Sequence, residues 1–178
     1  MLFWIINIVL LSIIVFLFLL LSMFWPPDSP WAPWWRTNRK IARAMCRLAK
    51  INKDDIVYDL GSGDGTTLIV VAKEFGARGV GIEIDPLRFF ISSILLHSNR
   101  LSEKVKIIRK NFYDVDISKA SVVFVYLVPR VLKKLKPKFL KELKPGTLVI
   151  SYRYKMNLPL SSYDKANDIY LYKIPAKS

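Results

Sequence analysis

This chain of 178 residues predicts an α/β domain, built on a mostly parallel sheet, behind one long apolar helix. Three observations carry that prediction. Short β-prone runs alternate with helical periods from Ile41 to Ile174, the pattern of a sheet covered by helices. A glycine-rich turn, within I-V-Y-D-L-G-S-G-D-G from Ile56 to Gly65, joins the first of those strands to the helix after it. Finally, Leu2 to Trp25 is an almost unbroken run of Leu, Ile, Val, Phe and Trp, and residues 1–27 carry no charged side chain.

As a helix the first run spans about 36 Å, enough for a hydrocarbon core of about 30 Å. A cleaved signal peptide would show a basic start, a shorter apolar run and a small-residue cleavage site. A helix packed against a small domain's core would show a polar face, and this run has none. Residues 1–25 are therefore expected to be a retained transmembrane anchor. After the span come Arg36, Arg39, Lys40, Arg43, Arg47, Lys50 and Lys53, with Asp28 the only acid before Asp54. This bias predicts a single-pass membrane protein with its globular part in the cytoplasm. The single cysteine, Cys46, excludes an intramolecular disulfide and agrees with a reducing compartment. Residues 26–35, together with Trp25, read as a Pro- and Trp-rich linker. Its prolines disfavour helix, and Trp31, Trp34 and Trp35 suit a headgroup region. Net charge is +14. An anionic lipid surface is preferred to nucleic acid as the partner of that charge, because each Lys or Arg near such a surface contributes about 1 kcal/mol of attraction.

The globular domain is expected over 36–178. Thr37 or Asn38 can cap a helix to about Lys50, whose apolar face is Ile41, Met45 and Leu48. Ile56 to Tyr58 is a strand that Asp59 ends. Thr66 to Phe75 has helical spacing, with Gly76 placed to stop it. Gly79 to Ile84 is the second strand, and Asp85-Pro86 opens a helix to Arg100. His97, the only histidine, receives no role, since one histidine makes no metal site; no metal is expected. Val105 to Arg109 and Val122 to Tyr126 are the third and fourth strands, the latter continuously apolar as a buried parallel strand is. A basic helix from Pro129 to about Leu143 is expected to be interrupted near Pro137. Thr147 to Ser151 is the fifth strand and Asp168 to Ile174 a final antiparallel one. The little room between those two predicts an abbreviated end to the sheet.

The spacing of Gly61, Gly63 and Gly65 narrows the ligand. A dinucleotide fingerprint needs a third glycine at position 66, where Thr66 stands. An acid, Asp59, precedes the turn, which suits a ligand bearing a cation rather than a bare pyrophosphate. S-adenosyl-L-methionine fits, having an ammonium, a sulfonium and no phosphate. Glu83 stands at the end of the second strand, about 20 residues past the turn, where a carboxylate accepts hydrogen bonds from ribose hydroxyls.

D-L-G-S-G-D-G with G-I-E-I-D-P resembles the class I S-adenosylmethionine-dependent methyltransferases. Residues 36–155 further resemble the archaeal protein-lysine methyltransferases and the mitochondrial ATP synthase c-subunit lysine methyltransferases. These share the loop, a threonine before the first domain helix (here Thr37) and a fourth strand ending in an apolar residue plus proline. The resemblance implies a Rossmann-like seven-stranded-type sandwich, here with an abbreviated C-terminus. It implies cofactor contacts from Thr37, Asp59, Leu60, Gly61, Gly63, Gly65, Glu83, Ile84, Asn111 and Phe112. Asn111 stands where many relatives have an acid toward the adenine amine. Its amide oxygen can accept the same bond without charge.

The fourth strand runs into L-V-P, Leu127 to Pro129, and lacks the N-P-P-Y or D-P-P-Y that holds planar nitrogens in amino methyltransferases of this superfamily. That favours an aliphatic amine, the ε-amine of a protein lysine, on a substrate that a membrane anchor would place at or in the bilayer. Such an amine must lose its proton, from a reference pKa of about 10.4. Tyr126 and Tyr152, at the carboxyl ends of strands four and five, are the candidate pocket residues that orient it. A lipid headgroup amine, a quinone, or cofactor binding without catalysis are the alternatives.

Overall fold

The structure, a computed structural model, describes residues 2–24 and 36–176. The linker expected at 26–35, with Trp25, lies outside the described residues. Helix α1 is Leu2–Phe24, and its side chains from Phe3 to Leu21 are exposed. Among the described residues it is the one helix long and apolar enough to cross a membrane.

The domain runs in the order α2 (Arg39–Leu48), β1 (Ile56–Leu60), α3 (Thr66–Glu74), β2 (Arg78–Ile82), α4 (Pro86–Ser98), β3 (Val105–Ile108), β4 (Val122–Val125), α5 (Pro129–Glu142), β5 (Leu148–Tyr152), β6 (Leu160–Asp164) and β7 (Ile169–Lys173). The seven strands form one sheet in the order β3-β2-β1-β4-β5-β7-β6. Strands β1 to β5 are parallel, and β7 lies antiparallel between β5 and β6. Strand order reverses between β1 and β4, so a crevice opens at their carboxyl ends.

Alternation along the strands sorts the core into two faces. Val57, Val122, Phe124 and Ile150 join Ala42, Met45 and Cys46 of α2 with Leu68 and Val71 of α3. Tyr58, Leu60, Val123, Val125 and Val149 pack on Val131, Leu132, Leu135 and Phe139 of α5. Two helix starts are capped as the residue types predict. Asn38 accepts from Ile41 N at 2.9 Å, and Asp85 accepts from Arg88 N at 2.8 Å. An exposed bidentate pair, Arg43 to Glu74 at 2.7 and 2.9 Å, ties α2 to α3.

Two expectations are corrected. The sheet is not abbreviated: β6 completes seven strands. That strand, L-S-S-Y-D, is an exposed edge with a register shift between Leu160 and Ser162, so no apolar alternation announces it. Helix α5 is not interrupted at Pro137, which lies inside a continuous helix. The proline costs one backbone hydrogen bond, but Val131, Leu132, Leu135 and Phe139 bury a continuous face on both sides of it.

Close approach of α3 to the sheet depends on Gly81, next to the last residue of β2. A Cβ there would lie 2.6 Å from both Ile107 Cδ1 and Ser62 Oγ, and 2.8 Å from Leu68 Cδ1. Gly81→Ala is expected to destabilise the domain by about 1–3 kcal/mol through overpacking. An unchanged urea midpoint in that variant would contradict this packing.

Candidate active site

At the end of β1 the chain turns sharply through three glycines with positive φ, Gly61 at 82°, Gly63 at 56° and Gly65 at 76°. That backbone is open to glycine and strained for other residues. Gly65 is also the N-cap of α3. The turn is held to the end of β2. Gly61 N and Ser62 N both donate to Ile82 O, at 2.8 and 3.1 Å. Glu83 follows β2, and its carboxylate joins two loops: Oε2 accepts from Gly63 N at 2.8 Å and Oε1 accepts from Asp85 N at 3.0 Å. Each oxygen keeps a further lone pair, so the clamp can accept from a ligand's hydroxyls as well.

Asp59, one residue before the end of β1, is buried beneath the same turn. Burial, with the Glu83 and Asp64 carboxylates adding repulsion, pushes its carboxyl up to about 7, against a hydrogen bond with Thr67 that favours ionisation. Glu83 is also raised, by burial first, while its bonds from Asp85 N and Gly63 N oppose the rise. A crevice holding these carboxylates repels a phosphate and suits a cation. No group of three or more metal-ligating side chains is present among the described residues. Asp59 to match an ammonium, Glu83 to accept from a ribose, and glycines that admit a close backbone approach fit the S-adenosyl group.

The other residues expected to touch the cofactor have differing surroundings. Leu60 is buried in the core, whereas Ile84 and Thr37 are half-buried. Arg36, which precedes Thr37, pairs with Asp64 of the glycine turn, Nε to Oδ2 at 2.7 Å, so the segment before α2 is drawn onto the turn. Asn111 Oδ1 accepts from Tyr113 N at 3.1 Å and caps a short 3-10 turn, Phe112–Asp114. One lone pair of the expected adenine acceptor is therefore already committed to backbone. Phe112 lies against Tyr113, ring centroids 4.8 Å apart.

On the β4 side of the crevice, Leu127 Cδ2 stands 3.5 Å from where a Cβ on Gly61 would be. Next to Leu127 is Tyr126. Its ring centroid is 4.6 Å from that of Tyr152 and 6.4 Å from that of Tyr154. The two tyrosines expected from their places at the strand ends are thus together. Sequence reasoning misses Tyr154 and Arg153. They lie in the turn after β5, which has no periodic pattern, although the run Y-R-Y marks it as aromatic and basic.

Comparison with known proteins bears on the family and the fold. The profile of the ANTKMT methyltransferase domain matches residues 59–159. A protein-lysine N-methyltransferase of Saccharolobus islandicus is 38% identical over 135 residues, covering 75% of this chain and 82% of that protein. A lysine N-methyltransferase of the ATP synthase c-subunit, from Xenopus laevis, is 29% identical over 125 residues, 70% of this chain and 53% of that protein. Among solved structures, an RNA methyltransferase from Salinibacter ruber in complex with S-adenosyl-L-homocysteine superposes with a TM-score of 0.78 at 35% identity, over 81% of this chain and 96% of that one. By sequence profile, by relatives and by fold, the chain belongs to the ANTKMT methyltransferase-domain family of S-adenosylmethionine-dependent methyltransferases.

Proposed function

We propose that this chain transfers methyl groups to lysine ε-amines of a protein, from a catalytic domain at 36–178 held at the cytoplasmic face of a membrane by residues 1–25. The observation that carries the enzymatic reading is the Glu83 clamp over the glycine turn, beside buried Asp59. The lysine acceptor follows the Saccharolobus islandicus relative and the absence of a planar-nitrogen motif after β4.

When bound, S-adenosylmethionine supplies an electrophilic methyl group on a sulfonium. The residues proposed to hold it are Asp59 for the amino group, Glu83 for the ribose, Leu60, Gly61, Gly63 and Gly65 for the methionine and sugar edge, with Thr37, Ile84, Asn111 and Phe112 around it. Tyr126 and Tyr152 are proposed to orient the amine, since alignment of donor and acceptor provides most of the acceleration in a direct displacement. Helix α1 would raise the local concentration of substrates at the bilayer surface, to about millimolar for a short tether. A second reading, RNA as acceptor, is favoured by the Salinibacter ruber structure and the net charge of +14. Labelled methyl transfer to a membrane fraction, followed by separate protease, nuclease and lipid extraction, distinguishes them. Label lost to protease supports the proposal, and label lost to nuclease or extracted with lipid contradicts it.

Three outcomes are expected. Glu83→Ala removes the acceptor of both loops and of the ribose, and should weaken binding of S-adenosylhomocysteine at least about tenfold; calorimetric affinity equal to wild type would take Glu83 out of the site. Asp59 has a folded pKa raised to about 7. The protonated acid is thus favoured in the free protein below that pH, while the cofactor's ammonium favours the carboxylate. Affinity should fall by about tenfold for each pH unit below 7, a dependence that Asp59→Asn should remove. A flat affinity profile from pH 5.5 to 8 would contradict the pairing. Deleting residues 1–35 should leave cofactor affinity intact and slow labelling in native membranes relative to labelling of a soluble lysine-rich protein; equal rates would show that the anchor does not direct the enzyme.

A further inference from the structure

An exposed cation lies over the tyrosine cluster. Arg153 sits in a left-handed conformation, φ 65°, in the turn that follows β5. The turn is fixed on several sides: Arg153 N donates to Asp168 O at 2.8 Å, Tyr154 N to Tyr152 O at 2.9 Å, and Ser151 Oγ to Tyr154 O at 2.6 Å. This places the guanidinium carbon 5.4 Å from the ring centroid of Tyr152 and 5.9 Å from that of Tyr126. From this geometry we infer that Arg153 keeps the acceptor amine in its neutral, nucleophilic form. The inference rests on the proposed function, in which that amine is seated at these two rings.

The chemistry explains why a cation belongs there. A lysine arrives as an ammonium and must release its proton to solvent before reaction. Its freed lone pair then forms the N–C bond while the S–C bond breaks. The electron pair of that bond stays on sulfur, which leaves as a neutral thioether, and the nitrogen becomes a methylammonium. A neighbouring like charge disfavours the ammonium and lowers its pKa. The aromatic walls remove water and act in the same direction.

The ionisable groups around this place agree. Those bearing on Tyr126 are Arg153, Tyr152 and Tyr154. Burial raises the Tyr126 phenol, and Arg153 acts against that rise. Asp168, beneath the turn, accepts from the hydroxyls of Tyr163 and Tyr170 at 3.1 and 2.9 Å. Lys155 lies over a different ring, 5.8 Å from the centroid of Tyr170. The acids Asp59, Asp64 and Glu83 belong to the crevice under the glycine turn, where the cofactor's own positive charge opposes them. Arg153 is therefore a positioning residue that sets charge, acting on the substrate through its field rather than by taking the proton.

The test uses the full chain and a synthetic copolymer of glycine and lysine as acceptor, comparing wild type, Arg153→Met and Arg153→Lys. Binding of S-adenosylhomocysteine, measured first, should be equal in all three and shows that each is folded. If Arg153→Met loses it, Arg153→Gln takes its place. In the methyl-transfer profile from pH 7 to 10.5, the limb for amine deprotonation should rise by about one pH unit in Arg153→Met. Its rate should be about tenfold lower at pH 7 and converge with wild type near pH 10.5, and Arg153→Lys should restore the wild-type limb. Calorimetry in buffers of different ionisation enthalpy gives a readout independent of turnover: the copolymer should release more protons on binding to wild type than to Arg153→Met at pH 8.5. A rate lowered equally at every pH, or equal proton release, would overturn the inference and leave the lysine reading standing. A wild-type enzyme that binds cofactor but labels no lysine would overturn both.

Discussion

The Glu83 carboxylate is the contact on which the site depends. Its two oxygens accept from Gly63 N and Asp85 N, joining the turn after β1 to the start of α4. Neither bond belongs to regular secondary structure, and the three positive-φ glycines lack any side chain of their own to fix them. A buried carboxylate with two backbone donors supplies that order while each oxygen retains a further lone pair. The sheet brings this about. Strands β1 and β2 are parallel and in register from Ile56 with Arg78 to Leu60 with Ile82, so both loops leave at the same height. Gly81 lets Leu68 of α3 come close beneath them.

That arrangement concentrates negative charge. Burial raises both Asp59 and Glu83, and the Glu83 and Asp64 carboxylates add repulsion at Asp59. Arg36 offsets part of this charge at Asp64. Buried carboxylates in this condition favour a ligand that brings a cation and hydroxyls over one that brings phosphates. The β4 and β5 side of the crevice has the opposite character, with three tyrosines and Arg153. The carboxylates of the glycine turn and the tyrosines with Arg153 thus stand at the carboxyl ends of neighbouring strands, one group acidic and the other aromatic and cationic.

Much of this is legible in the sequence because local rules and tertiary structure agree. The acid before the glycine turn, the Asp85-Pro86 helix start and the continuously apolar β4 each have one inexpensive backbone solution, and the fold adopts it. Tyr126 and Tyr152 can be paired from their places at strand ends alone. What escapes such reading depends on long-range packing. Strand β6 is polar and exposed, and it exists because β7 offers it an edge. Pro137 reads as a helix breaker until the apolar face of α5 overrides it. Arg153 gains its place from a backbone turn pinned to Asp168, and Arg36 from a partner in the glycine turn, contacts that no short-range pattern encodes.

A crystal structure of the chain with S-adenosylhomocysteine tests the central claim most directly. The ribose hydroxyls should lie within hydrogen-bond distance of Glu83 Oε1 and Oε2, with the amino group toward Asp59 and the sulfur facing the Tyr126 and Tyr152 rings. A ligand bound without contact to Glu83, or with its sulfur turned away from the tyrosines, would contradict it.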